Sequence, residues 1–561
     1  MLLKFFKLVL ILLFYQIPLY SKSKTLNDYN SHHLSNYFSG IVAFENKDNS
    51  EALKFFKASK FLIKQHNSYL EKYIYSLVLE GKIQHATNEI KQNLTKGNSN
   101  FFEANLLMAL DSLKKKDFKK SKNYLELSSK FVNNDRLALV VYESLKQYLY
   151  VFEKKQIPIK KKEFGDLSLI NEVFQRCYLE DNNTEEYFKR LTDKRNNTDF
   201  SRYIFFYINY LIKNNNLGEA KEIANKLDNL DSTLLILQGK KWIEELKFEK
   251  FKKFFSCTNS NDILSEFLFL IANLYSSQEE YKKSNFYLNI SQYLNPSFKF
   301  NLSLLATNYY LDDNYKEAKK VLKKFNEKDD LYYWFKIKKE TLIISKELSD
   351  EDSLNFINEK FKKIKYPSIK MTFDIANFNK NSKKYQNAIT YYNEVVLKID
   401  PKSNNYAEIL YRRGMCYEQL GEHIKSDKDL LKSLLIKPDD AYILNYLAYS
   451  WLERKHKIND AMHMLEKAYN TRRNDPYIID SIGWAYYLHN DFIKAEKFLR
   501  RAVELMPEDP IVNDHYGDIL WQLNRKIQAR YFWKNVLNLE KTENEMKKII
   551  DIKLIEGLKK S

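Results

Sequence analysis

Cysteine, proline and glycine are scarce, at 3, 9 and 11 of 561 residues. So few glycines and prolines disfavour a turn-dense β architecture and a glycine-rich phosphate loop. The cysteines, Cys177, Cys257 and Cys416, are far apart and odd in number. They offer no CxxC pair and no disulfide framework, and are expected as small buried hydrophobes. Arginine is rare too, 14 residues against 77 lysines. Although the formal net charge is +18, the side chain whose planar fork reads phosphate is sparse and no basic stripe is visible. Nucleic acid is therefore disfavoured as a partner. The sequence also lacks HExxH, Cys/His clusters at zinc spacing, GxxxxGK[ST] and GxSxG. Its acidic residues form no evident acid/base pair. No enzyme activity, cofactor, metal or small-molecule substrate is expected.

What is present is helical. Hydrophobic residues make up 44% of the chain, enough for globular cores. Leu, Lys, Glu, Ile, Tyr and Phe run in long stretches with few breakers, which favours helices. A chain of 561 residues exceeds one ordinary core, so several domains or a repeat array are expected. Charge is uneven: residues 401–540 hold 21 basic and 20 acidic side chains, leaving most of the surplus upstream.

The N-terminus has Lys4 and Lys7, an apolar run Leu8–Tyr20 interrupted by Gln16 and Pro18, then Ser21 and Ser23. This is the layout of a secretory signal over 1–23, with an uncleaved anchor as its competitor. No cysteine lies nearby for acylation, so a lipoprotein is excluded. No later stretch is long and apolar enough to span a bilayer. The expectation is an exported chain, periplasmic or envelope-associated, and membrane-anchored if the signal is retained.

A period of 34 residues appears when small residues are aligned. Ala461, Ala495 and Ala529 keep it, as do Ala468 and Ala502, and Gly483 and Gly517. In "DSIGWAYYLHNDFIKAEKFLRRAVELMP" the order is Gly483, Tyr486, Ala495, Leu499, Ala502 and Pro507. Two helices joined by a tight turn meet closely only over Gly or Ala, and large apolar residues fill the flanking grooves. One such hairpin cannot bury its apolar face alone, so hairpins stack. Gly414 and Tyr417 fit the same register. These residues, with Ala461, Ala468, Gly517 and Ala529, are therefore expected to pack.

At these positions the chain resembles the tetratricopeptide repeat (TPR) family. The resemblance implies an all-α solenoid of stacked antiparallel hairpins in a right-handed superhelix. It covers a C-terminal array over 407–540, a middle array over 265–402, and a divergent N-terminal array over 33–240 that is irregular at 150–200. A helical tail follows at 541–561. The run "GWAYY…NDH.GD..W" is similar to exported TPR proteins of proteobacteria, which supports the location.

The resemblance further implies that first helices line a concave groove. The groove would present Tyr411, Met415, Asn445, Tyr449, Asp480, Trp484, Tyr487, Asp514, Asp518 and Trp521. Aspartates and aromatics stand where the family's Lys/Asn/Arg carboxylate clamp would need basic groups, so the groove is expected to prefer basic, apolar segments. Trp484 is equally compatible with packing on the next hairpin. His489 and His515 are expected near helix ends, in solvent. The favoured function is a non-enzymatic scaffold binding protein or peptide partners in the cell envelope. The alternative is a module that binds an envelope polysaccharide or nucleic acid through Lys and aromatic residues.

Overall fold

The computed structural model describes residues 31–64, 67–93, 100–193, 201–230 and 232–558. The apolar run Leu8–Tyr20 lies outside them. Among the described residues the regular structure is entirely helical, and the fold is all-α, built largely of antiparallel helix hairpins. It divides into two compact units, Met1–Ile343 and Ile344–Ser561.

The C-terminal unit contains five hairpins. They are Ile369–Asn381 with Tyr385–Val396, Asn404–Gln419 with His423–Ile436, Ala441–Glu453 with Ile458–Thr471, Pro476–Leu488 with Phe492–Leu505, and Pro510–Gln522 with Lys526–Asn538. A single helix, Asn544–Glu556, follows. Local chemistry repeats with the period. Asp440, Asp475 and Asp509 each accept two backbone N–H groups at the start of a first helix, satisfying donors that the helix cannot. Pro476 and Pro510 occupy the first turn, where a missing N–H costs nothing. Gly421, Asn490 and Asn524 make the inter-helix turns in the left-handed region. The third hairpin has one inserted residue there, and both Lys455 and Lys457 adopt positive φ.

Helix crossings occur at the small residues. A Cβ on Gly483 would lie 2.8 Å from Leu499 Cγ, and one on Gly517 2.4 Å from Trp533 Nε1. On Gly414 it would lie 2.9 Å from Leu430 Cγ. Ala461, Ala468, Ala495, Ala502 and Ala529 are fully buried. Tyr486 stacks on Phe498 at 5.6 Å, and half-buried Tyr417 lies beneath Lys425 and Arg413.

The N-terminal unit departs from an open row of hairpins. Helix Tyr281–Leu294 packs back against Asn67–Leu79. Phe286, fully buried, stacks on Tyr75 with ring centroids 4.6 Å apart, and Lys114 Nζ sits 3.5 Å over the Tyr293 ring. Ion pairs Lys47–Asp312, Lys316–Asp48 and Lys320–Glu80 rim this closure. The boundary at 343 falls inside the expected middle array 265–402: the helices from Ser260 to Leu322 belong to the first unit and the hairpin from Ile369 to Val396 to the second.

The cysteine expectation is corrected. Cys177 and Cys257 form a disulfide with Cα atoms 5.7 Å apart, leaving Cys416 free and buried. Eighty residues separate the pair in sequence. An aromatic cluster brings them together: Phe255 packs on Phe174 (5.7 Å), Phe206 (4.7 Å) and Phe298 (6.0 Å). The bridge links the helix Asp166–Tyr178 to the segment after Glu249–Phe254, two regions that fit the 34-residue pattern worst.

Candidate interaction surface

Each first helix in the C-terminal unit contributes one stripe to a common wall. The aspartates on that wall are not open to solvent as an acidic lining. Asp480 accepts a hydrogen bond from His515 Nδ1 at 2.9 Å, and both side chains are 8% exposed. Asp514 and Asp518 both receive Lys553, at 2.6 and 2.8 Å. Asp518 also accepts from the Trp533 indole N–H at 3.0 Å. The expected preference for basic segments thus meets two cations of the chain itself.

His515 is a second correction. It lies within helix Pro510–Gln522 and is buried, not solvated at an end. Burial opposes its charge, but Asp480, with Asp514 and Asp518 nearby, outweighs that and holds its pKa above the ordinary imidazole value. Burial and the neighbouring Asp514 push Asp518 up to about 6, against the opposing pull of Lys553. His489 caps its helix and is exposed.

Trp484 is enclosed on both faces. Tyr487 stacks on one side (4.5 Å, 6° between planes) and His515 on the other (4.0 Å, 12°). Its indole N–H donates to Glu453 at 2.9 Å. Tyr449 lies against His515 at 6.4 Å. Trp521 packs on Gly557, where a Cβ would sit 1.9 Å from the indole, and on Trp533 at 5.3 Å. From Asp480 to Trp521 the wall is filled by the chain's own groups.

The earlier part of the wall is less occupied. Tyr411 meets Tyr446 edge-on at 5.9 Å, Met415 is half-buried, and the buried Oδ1 of Asn445 has no partner. Arg412 pairs with Glu408 at 2.7 Å, donates to Asn377 at 3.3 Å and lies over Phe373 at 5.7 Å. Lys380 shares a helical face with Phe373 and Asn377, seven and three residues before it. It is half-buried, with Glu408 near enough to act on its charge but no carboxylate among the described residues bridging it. Burial, helped by the charge of Arg412, draws its pKa down.

Sequence reasoning missed His515, Lys553 and Lys380. A signal for the first two existed. Asp480 and His515 are 35 residues apart, as are Asp518 and Lys553, and Tyr487 and Gln522. A residue on one first helix meets the residue one period plus one further along, so scanning for opposite charges at that offset finds both pairs. Among the described residues no group of three or more His, Cys, Asp or Glu is placed to hold a metal, and no helix is long and apolar enough to cross a membrane.

Residues 407–440 match the tetratricopeptide repeat model. That segment of the chain is thus similar to one tetratricopeptide repeat. A TPR repeat-containing protein of Pseudomonas aeruginosa is 32% identical over 110 residues, 20% of this chain and 18% of that protein. The chain thus spans less than a fifth of that relative's length. Among solved structures, a thermophilic TPR protein of Thermus thermophilus is similar at 16% identity, covering 34% of this chain and all of that one, with a TM-score of 0.30. MamA of Desulfovibrio magneticus is similar at 21% identity, covering 31% and 97%, with a TM-score of 0.26. TPR repeats suggest a protein-interaction scaffold.

Proposed function

We propose that this TPR protein is an exported, non-enzymatic scaffold of the bacterial cell envelope that holds a protein or peptide segment on the 369–415 part of its C-terminal wall. The observation carrying this reading is Lys380, a half-buried cation that no carboxylate among the described residues bridges, on the helical face of Phe373 and near Arg412, which lies over that ring. A desolvated charge left without a bridging partner is costly in isolation, and a partner carboxylate removes that cost while the Phe373 ring supplies apolar contact. The partner segment is therefore acidic and aromatic or aliphatic, not basic as the aspartates alone suggest.

Export rests on two supports, the apolar run after Lys4 and Lys7 and the Cys177–Cys257 bridge, since disulfides persist in oxidising compartments. The deciding experiment captures partners from envelope extract on the full chain and on a Lys380→Glu variant. Loss of a captured protein with the variant supports the reading. Identical capture by both chains removes this wall from the function. Recovery of polysaccharide or nucleic acid in place of protein favours the polymer-binding alternative.

A further inference from the structure

The helix Asn544–Glu556 has two apolar faces. One is inward: Ile550 is fully buried, Lys553 reaches Asp514 and Asp518, and Arg530 donates to the carbonyl of Leu554. The other is outward. Ile549, Ile552 and Ile555 are 53%, 51% and 80% exposed, and at spacings of three they form one stripe along the helix. Here the outer face carries three isoleucines, bounded by Lys548 and Glu556.

The order of residues on that stripe is self-complementary. When two such helices lie antiparallel with a two-fold axis at Ile552, Ile549 faces Ile555 of the other copy. Lys548 then faces Glu556, and both relations occur twice by symmetry. Lys548 is at present 2.9 Å from Glu545, with side chains 70% and 82% exposed. Pairs that open to water hold little free energy and exchange readily. A parallel pair would instead set Lys548 beside Lys548. The charge order therefore selects a second copy in the antiparallel sense, and an isologous contact of this kind closes at two chains without propagating.

We propose that the outer face of Asn544–Glu556 is a homodimer interface, formed by antiparallel packing of Ile549, Ile552 and Ile555 with reciprocal Lys548–Glu556 pairs. The axis passes Ile552, so a cysteine there meets its own symmetry mate. The test uses the full chain in cells, carrying Ile552→Cys, under mild oxidation and non-reducing electrophoresis. Ile527→Cys, on the adjacent helix and 88% exposed, is the control. Cys177 and Cys257 are already bonded and Cys416 is buried, so they do not compete. The expected result is a covalent dimer from Ile552→Cys and none from Ile527→Cys. In light scattering of the purified chain, Lys548→Glu should weaken association about tenfold, and adding Glu556→Lys should restore it. A monomeric wild type, equal cross-linking at both positions, or a charge reversal without rescue would overturn the proposal. In the first case the stripe serves a different occupant.

Discussion

The imidazole of His515 lies 2.9 Å from the carboxylate of Asp480 and 4.0 Å from the indole of Trp484. One side chain thus pairs a buried aspartate and covers an aromatic face. Because the folded-state pKa of His515 is raised, the pair stabilises fully below the ordinary imidazole value, and that contribution disappears as pH climbs through the raised one. In His515→Gln, the stability deficit relative to wild type should be largest at mildly acidic pH and shrink toward alkaline pH. Asp518, pushed up to about 6, acts in the same sense. Denaturant titration of both chains between pH 5 and 9, the range about either side of the ordinary imidazole pKa, measures this. A deficit that grows with pH contradicts the assignment.

Gly517 and Gly218 separate close approach from simple flexibility. A methyl group at Gly517 meets Trp533 at 2.4 Å, whereas nothing lies within 4 Å of one at Gly218. Gly517→Ala should cost ~1–3 kcal/mol through overpacking. Gly218→Ala, in a helix, should be neutral or gain ~0.5 kcal/mol. Thermal melts of the two variants decide it, and equal shifts would remove the crossing argument.

How far the sequence reads through to this structure depends on which contacts are periodic. Gly483, Ala495 and Ala502 are legible because every hairpin poses the same steric problem at the same place. The register names the residues of the C-terminal wall, but not the chain's own groups that occupy it. Asp480 is read as an open acid until His515, one period plus one away, is set against it. The closure of the N-terminal unit was not legible at all. Phe286 and Tyr75 are 211 positions apart, and no repeat offset relates them. The same holds for Cys177 and Cys257, which meet only because an aromatic cluster folds an irregular segment back.

The Cys177–Cys257 bridge gives a direct count. Unfolded without reductant, the chain should expose one thiol, Cys416, and with reductant three. The bridge closes a loop of 80 residues, so chain entropy sets an upper limit of ~4.5 kcal/mol on its stabilisation. Replacing both cysteines with serine should lower the first transition in a melt. Three reactive thiols in chain isolated under non-reducing conditions would deny the bridge and withdraw one of the two supports for export.

The N-terminal unit closes through both a core contact and a rim of ion pairs, and magnitudes indicate which holds it. Lys47–Asp312, Lys316–Asp48 and Lys320–Glu80 join segments distant in sequence, with lysine side chains 49%, 69% and 52% exposed. Solvent and salt screen such pairs, and each contributes under ~1 kcal/mol. Phe286 is fully buried and stacked on Tyr75 at 4.6 Å. Truncating a buried phenylalanine costs ~3–5 kcal/mol, because the lost transfer energy adds to that of the cavity. Phe286→Ala should therefore destabilise the unit more than Lys47→Ala, Lys316→Ala and Lys320→Ala together. Molar salt should shift the melt of wild type only slightly. If the triple lysine variant loses more than Phe286→Ala, the rim and not the core keeps helix Tyr281–Leu294 on Asn67–Leu79. The unit would then be an electrostatic clasp that ionic strength opens.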